Sequence, residues 1–391
     1  MSVISESGTE SVLSEQIRIN WYRTPVDKEV MSRLMKKSDL KGLRQSLLHL
    51  ALFTLTGTIT YLAYCQINAG NWYWSVPLVL FCLFWHGTFV HFIGSVAVHE
   101  LTHKTPFRTQ ALNDFFMYLF GFLSWYNPIA YRASHVKHHQ VTTYHDLDGE
   151  IILPQKLDWG AAEEGEEILP EKLDWNACVF IIRHFLPFPD PIACWNRLVT
   201  WVKCACDDLK GMPMNAGGVW WTETVLPASN LELRRRHRNW ARVVLLGHLV
   251  LAAIFIATGH WFLVILINCS LTYAGWLVSI TGLPQHIGMK PDTSDFRFCC
   301  RTYTCNWFIG FVYWNMQYHV EHHMFPAVPF YNLPALRKVI EHDLPPAPHG
   351  LVATWRVIIK VLRRQHKEPG YYYIPEIPGA GLARTPVAKL R

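Results

Sequence analysis

Apolar residues fall into four long runs separated by polar stretches rich in histidine. Leu47 to Cys65 contains no charged residue, and at ~1.5 Å per residue this run covers roughly 29 Å, one hydrocarbon core. Trp74 to Val98 is a second uncharged run, joined to the first by the short link Gln66 to Tyr73. Val243 to Thr258 and Trp261 to Leu283 form another pair, separated by little more than Gly259 and His260. The pattern predicts an all-α integral membrane protein with four transmembrane helices in two hairpins. Two further segments are apolar but interrupted. Asp114 to Tyr131 is broken at Asn127-Pro128, and Asn176 to Cys206 is broken by Pro187, Pro189 and Pro191. Both read as helices lying in the interface.

Charge orients the hairpins. Arg23, Lys28, Arg33, Lys36, Lys37, Lys41 and Arg44 precede the first run, and Arg234, Arg235, Arg236 and Arg238 precede the third. Neither far-side turn carries a Lys or Arg. The positive-inside rule then sends both hairpins out from the cytosol and back, with both termini cytosolic. The expected organisation is a cytosolic N-terminal segment (1–45), a first hairpin (46–98), an interfacial cap (99–241), a second hairpin (242–283) and a cytosolic C-terminal region (284–391). The cap and the C-terminal region together are expected to hold a dimetal site. Seventeen tryptophans suit a lipid–water boundary. The net charge of +6 is concentrated beside the spans, so it reports topology and not nucleic-acid binding.

The chemistry lies in three short clusters, all on the expected cytosolic side. They are His99-Glu100-Leu101-Thr102-His103, His135-Val136-Lys137-His138-His139 and His319-Val320-Glu321-His322-His323. Residues at i, i+3 and i+4 share a helix face, so each cluster presents a patch of imidazoles. Eight imidazoles are too many for one ion and suit two. Imidazole alone does not name the metal, since Zn, Cu, Fe and Ni all accept it. His286, just past the fourth run, lies at the same depth and is a further candidate ligand. His86, His91, His248 and His260 lie in or beside the spans and are expected to be hydrogen-bonded core residues. His145, Asp146, Asp148 and Asn315 are candidates for orienting a ligand ring. Taken alone, the first cluster also fits the HExxH of a zinc hydrolase, with Glu100 as general base.

Together the motifs HELTH, HVKHH and QYHVEHHMFP, ordered around two hairpins, resemble the membrane-bound fatty acid desaturase and hydroxylase superfamily, in its compact H-x3-H branch. The resemblance covers roughly Trp74 to Leu336. It implies a non-haem pair of iron ions held by His99, His103, His135, His138, His139, His319, His322 and His323, with His286 as the extra histidine before the last motif. O2 would be co-substrate, and a lipid-like or apolar molecule in the membrane the substrate. Glu100 and Glu321 are then read as carboxylates supporting the ligands. Desaturation and hydroxylation share these residues, and the zinc hydrolase stays as a more distant alternative. No Rossmann G-x-G-x-x-G context and no fused haem motif is present, so electrons are expected from a separate cytochrome b5, or from a ferredoxin with its reductase. The arginines at 234–238, or Arg363 and Arg364, are candidate docking groups. If the source is eukaryotic, the endoplasmic reticulum membrane is the expected location.

Three features stand outside this pattern. Gly149 to Trp159 recurs as Gly165 to Trp175 with nine of eleven positions identical, read as a duplicated acidic surface loop. Ten cysteines without a CxxC pair predict buried thiols in a reducing compartment and no disulfide framework. The acidic N-terminus has no signal-peptide pattern, and the Gly/Pro-rich tail from Pro369 is expected to be loosely ordered.

Overall fold

A computed structural model describes residues 19–145, 147–150, 182–209, 220–368 and 370–378. The duplicated segment beyond Glu150, Asp146, Cys178 and the last part of the tail lie outside the described residues. Within them the architecture is helical, and the only β pairing is in isolated bridges such as Tyr22 with Asp295 and Met289 with Tyr373.

Three helical stretches are long and apolar enough to cross a membrane: Lys28–Cys65, Trp72–Thr102 and Leu231–Ala257. The first contains α1 (Lys28–Leu34) and α2 (Asp39–Cys65), the latter capped by Ser38. Asp39 also accepts from the backbone N–H and the hydroxyl of Thr109, both at 2.8 Å, which fixes where this helix leaves the cap. The outward faces of α2 and of the Leu231–Ala257 helix stay apolar and exposed, at Leu55, Ile59, Leu62, Leu246, Leu249 and Ile256 among others. Such a surface, on helices long and apolar enough to cross a bilayer, suits lipid. Trp72, Tyr73, Trp74 and Trp261 are exposed at the far ends, as expected of an aromatic belt.

The second stretch is the innermost of the three. Helix α3 (Trp72–Phe92) passes through a π-helical turn, Ile93–Ala97, into α4 (Val98–Thr102). The Ser95 hydroxyl bonds back to the His91 carbonyl at 2.7 Å within that turn. One extra residue in the turn rotates everything after it, and π-bulges of this kind recur at functional sites.

The fourth apolar run is not one helix. Trp261 to Leu283 splits into a π-helical turn at Val264–Asn268, an irregular bend and a short helix at Trp276–Gly282. Asn268 donates to the His248 carbonyl at 2.7 Å, Thr272 bonds to Cys269 O, and Ala274 has a positive φ of 54°. The freed backbone groups are taken by the neighbouring proline-rich segment: Ala274 N–H donates to Leu186 O and Asp190 N–H to Thr272 O. A hydropathy pattern cannot see this, because broken backbone at membrane depth survives only where other protein satisfies it. Gly87 of α3 makes the bend fit, since a side chain there would run into Tyr273.

The third stretch is α8 (Leu231–Ala257), and the short helix of the fourth run is α9 (Trp276–Gly282); the other helices are α5 (Gln110–Leu123), α6 (Pro128–Val141), α7 (Pro191–Ala205), α10 (Phe296–Cys299), α11 (Trp307–Val312), α12 (His319–Met324), α13 (Leu333–Ile340) and α14 (Leu351–Lys367). Asn127-Pro128, expected only as an interruption, is the start of α6. Asn127 caps the helix and Pro128 occupies the first turn, where its missing N–H costs nothing. The main core joins α4, α5, α10 and the C-terminal helices through Leu101, Phe107, Phe120, Phe296, Trp314 and Leu336. His49 of α2 reaches into it, its Nδ1 donating to Gln45 O at 3.1 Å and its Nε2 accepting the Trp314 indole N–H at 3.2 Å.

Candidate metal centre

Four chain segments deliver the nine predicted histidines to one place. The π-helical turn aims α4, which carries His99 and ends at His103. Helix α6 supplies His135, His138 and His139, and α12 supplies His319, His322 and His323. His286 follows a single 3-10 turn at Leu283–Gln285. The rings sort into two groups. His99, His103, His135, His139 and His322 bring ligand atoms within 4.8 Å of one another, and so do His286, His319, His323 and Cys300. His138 adjoins the second group, with ring centroids 4.9 Å from His323 and 5.4 Å from His286. The groups touch where His139 stacks on His323 at 4.3 Å.

The donor set fits metal ions. Nε2 atoms face each other at 3.0 Å for His135 and His139, 2.9 Å for His286 and His319 and 3.0 Å for His319 and His323. Two nitrogens ~2.1 Å from a shared ion at right angles lie roughly 3 Å apart, so the spacing suits first-row metals. His103 Nε2 and His322 Nε2 are buried with no hydrogen-bond partner, an arrangement that costs stability unless an ion occupies the space. Burial, reinforced by neighbouring imidazoles, holds the pKa of His135, His139, His319, His322 and His323 well below the usual value. Rings that stay neutral are ready to coordinate. Cys300 is within ligand range of the second group and His138 stands beside it, so the fourth position has two candidates.

Carboxylates and a carbonyl hold the outer sides of the rings. Asp148 lies 2.8 Å from His138 Nδ1 and also accepts from Thr143 N–H. Burial alone would lower His138, but Asp148 outweighs it and the pKa is raised. Glu150 lies 2.5 Å from His135 Nδ1 and accepts from Ser134 at 2.7 Å; burial raises its pKa to about 7. His286 Nδ1 is 3.0 Å from Cys299 O. Such partners fix a ring's tautomer and direction. Glu100 Oε1 lies 3.2 Å from His99 Nδ1 and 3.7 Å from His322 Nδ1, yet is aligned for a hydrogen bond with neither. Glu321 turns elsewhere. It accepts from Thr302 at 2.5 Å and pairs with Arg337 at 3.0 Å, pinning α12 to α13.

The other candidates separate cleanly. His145 sits at the surface beside Asp292, and Asn315 donates to Phe330 O. His86, His91 and His248 bond to backbone carbonyls, and His260 to the Tyr61 hydroxyl. Sequence reasoning missed Glu150. Its signal was the Asp148-Gly149-Glu150 spacing, since alternate residues of an extended segment face the same way.

A cavity of about 310 Å3 opens against both groups. His99 and His135 of the first line it, as do His138, His286 and His319 beside the second. Val96, Val278, Leu283, Ile287 and Met316 supply an apolar wall.

Fold and site together define a helical, membrane-type protein with two adjoining clusters of potential metal ligands under an apolar cavity. The profile of the fatty acid desaturase family matches residues 74–162 and 211–355. That is more than half of the chain, which therefore belongs to this family of oxidoreductases. No curated protein matches the chain.

Proposed function

We propose that the protein is a membrane oxidase with two iron ions that uses O2 and external electrons to desaturate an acyl or other lipid-like chain. The observation that carries this reading is the convergence of nine histidines from four segments into two adjoining groups beside an apolar cavity. Iron bound in such a site supplies an oxidant able to take hydrogen from an unactivated C–H bond. The chain's own residues do the rest. His99, His103, His135, His139 and His322 hold one ion, and His138, His286, His319 and His323 the other. Asp148, Glu150 and the Cys299 carbonyl keep the rings directed. The apolar wall seats the substrate and excludes water, and Glu100 lies against the outer edges of His99 and His322. A zinc hydrolase would need Glu100 on the cavity side, whereas its carboxylate lies against the Nδ1 edges of two rings.

In this reading both hairpins enter from the cytosol, the fourth run dips in as a broken segment, and metal site and termini are cytosolic. In a eukaryote the membrane is that of the endoplasmic reticulum. A separate cytochrome b5, or a ferredoxin with its reductase, delivers the electrons. Of the basic groups offered for docking, Arg234 and Arg238 are engaged by Asp207, Arg235 by Glu232 and Arg364 by Glu368. Arg236 and Arg363 are therefore the first to test by charge reversal.

The direct test is expression with an electron donor, mass spectrometry of the lipids and iron analysis. Loss of two hydrogens identifies a desaturase and gain of one oxygen a hydroxylase; one zinc per chain without iron overturns the proposal. Gly282→Leu sharpens it. Gly282 lines the cavity, and a Cβ there meets only the Tyr313 hydroxyl, at 3.7 Å. Turnover is expected to fall while iron content stays.

A further inference from the structure

His286 is the one histidine of the second group that no helix carries; it follows a 3-10 turn, in irregular chain. Carbonyls in such a stretch lack the regular partners of a helix and must find others. Of the carbonyls of residues 284–287, three are taken by a single residue. Arg301 Nη1 donates to Pro284 O at 2.6 Å and to Ile287 O at 3.0 Å, and the Arg301 backbone N–H donates to Gln285 O at 2.8 Å. The remaining one, His286 O, accepts from Met289 N–H. Just beyond, Tyr373 N–H donates to Gly288 O at 2.8 Å, and the Tyr373 ring lies 5.7 Å from the Arg301 guanidinium.

The chain around Arg301 ties this loop to the other ligands. It leaves α10 extended at Cys300, with φ −122° and ψ 154°, and in extended chain neighbouring side chains point opposite ways. Arg301 and Tyr303 both bond to the His286 side, the latter through its hydroxyl to Thr281 O at 2.9 Å. Thr302, between them, bonds to α12: its hydroxyl accepts from Val320 N–H at 3.1 Å and donates to Glu321 at 2.5 Å. Residues 301–303 therefore set the His286 loop in register with the helix that carries His319 and His323.

Arg301 is a costly way to hold a loop. It is only 4% exposed, and its Nε and Nη2 are buried without a hydrogen-bond partner. Among the described residues its side chain hydrogen-bonds only the two carbonyls. A buried cation with unused donors lowers stability, so packing alone does not require it. What a guanidinium adds is direction. It is planar and always charged, and charge-assisted bonds are the stronger kind. Here they fix peptide units on both sides of a metal-ligand ring.

Resting on the two-ion reading above, we propose that Arg301 is a positioning residue for the second ion: it holds the chain on either side of His286, and without it the second position loses metal while the first keeps its own.

The test is Fe(II) binding, without oxygen, to the full-length protein in lipid nanodiscs. Chelator competition gives the affinities, and Mössbauer spectra tell the positions apart, with His286→Ala as the reference for an empty second position. Arg301→Leu should weaken the second ion by about tenfold or more, the size expected when the support of a ligand is lost. The first ion should change by less than about threefold, as independent sites do. The one-iron spectrum of Arg301→Leu should match that of His286→Ala. Arg301→Lys should recover most of the loss, because one ammonium carries donors for both carbonyls, as Nη1 does. Second-ion affinity that stays within about threefold in Arg301→Leu overturns the proposal, and so does equal weakening of both ions. Should Arg301→Leu not fold, Arg301→Gln is judged by the same limits; if neither folds, the side chain serves stability in general and the proposal is overturned. Fewer than two irons in the unaltered protein sinks the two-ion reading itself, and this inference with it. Two irons bound equally well by the unaltered protein and by Arg301→Leu sinks the inference alone.

Discussion

The two histidine groups differ in how they are built. The first draws five imidazoles from all three motifs, and its outer partners are the carboxylates Glu100 and Glu150. The second has only three histidines within ligand range, one of them His286 from outside the motifs, and borrows His138 from α6 through Asp148. The first group is therefore over-supplied by the helical motifs themselves. The second exists only because the bend before α9 and the segment after α6 bring isolated residues to it. Redundancy in one and dependence on single residues in the other should show in their responses to substitution.

The largest effect is expected from removing a ligand. His286→Ala should lower bound iron from about two per chain to about one, as a site short of protein ligands loses its ion, whereas His322→Ala leaves four imidazoles in the first group and should keep both. Metal analysis with spectroscopy of the bound ions checks it. If either variant empties both positions, the division into two groups fails. Next come the outer partners. Asp148→Ala should weaken one ion and Glu150→Ala the other, each by roughly 10–100-fold, measured by chelator competition. Loss of the same ion in both would show that the 147–150 segment serves one group only.

Arg337→Ala comes third and tests a different link. It leaves Glu321 buried without its charge partner, which costs about 3–5 kcal/mol and should lower the thermal unfolding midpoint. Glu321→Gln should retain both irons, because Glu321 contacts Thr302 and Arg337 and not a ring; loss of an ion would return it to the centre. The smallest effect is expected at His145→Ala. Its pair with Asp292 is half exposed, so stability should change by less than about 1 kcal/mol and iron content not at all.

The apolar runs, the three histidine motifs and their shared side were legible from residue order because helical spacing and hydropathy are local properties. The Asn127-Pro128 pair was visible, but its role as a helix start depended on which side of it the chain continues. The break at 269–275 was invisible, since it is paid for by backbone groups at Leu186 and Asp190, some eighty residues away.

Residue order by itself therefore determined which side chains are able to bind metal and which helices suit lipid. Tertiary structure decided how the rings divide into two groups, and that Glu150 bonds a ring of the site while Glu321 turns to Thr302 and Arg337. These outcomes depend on the direction in which side chains from distant segments point. A π-helical turn, one 3-10 turn and a bend set those directions, and none of the three has a periodic signature in the chain.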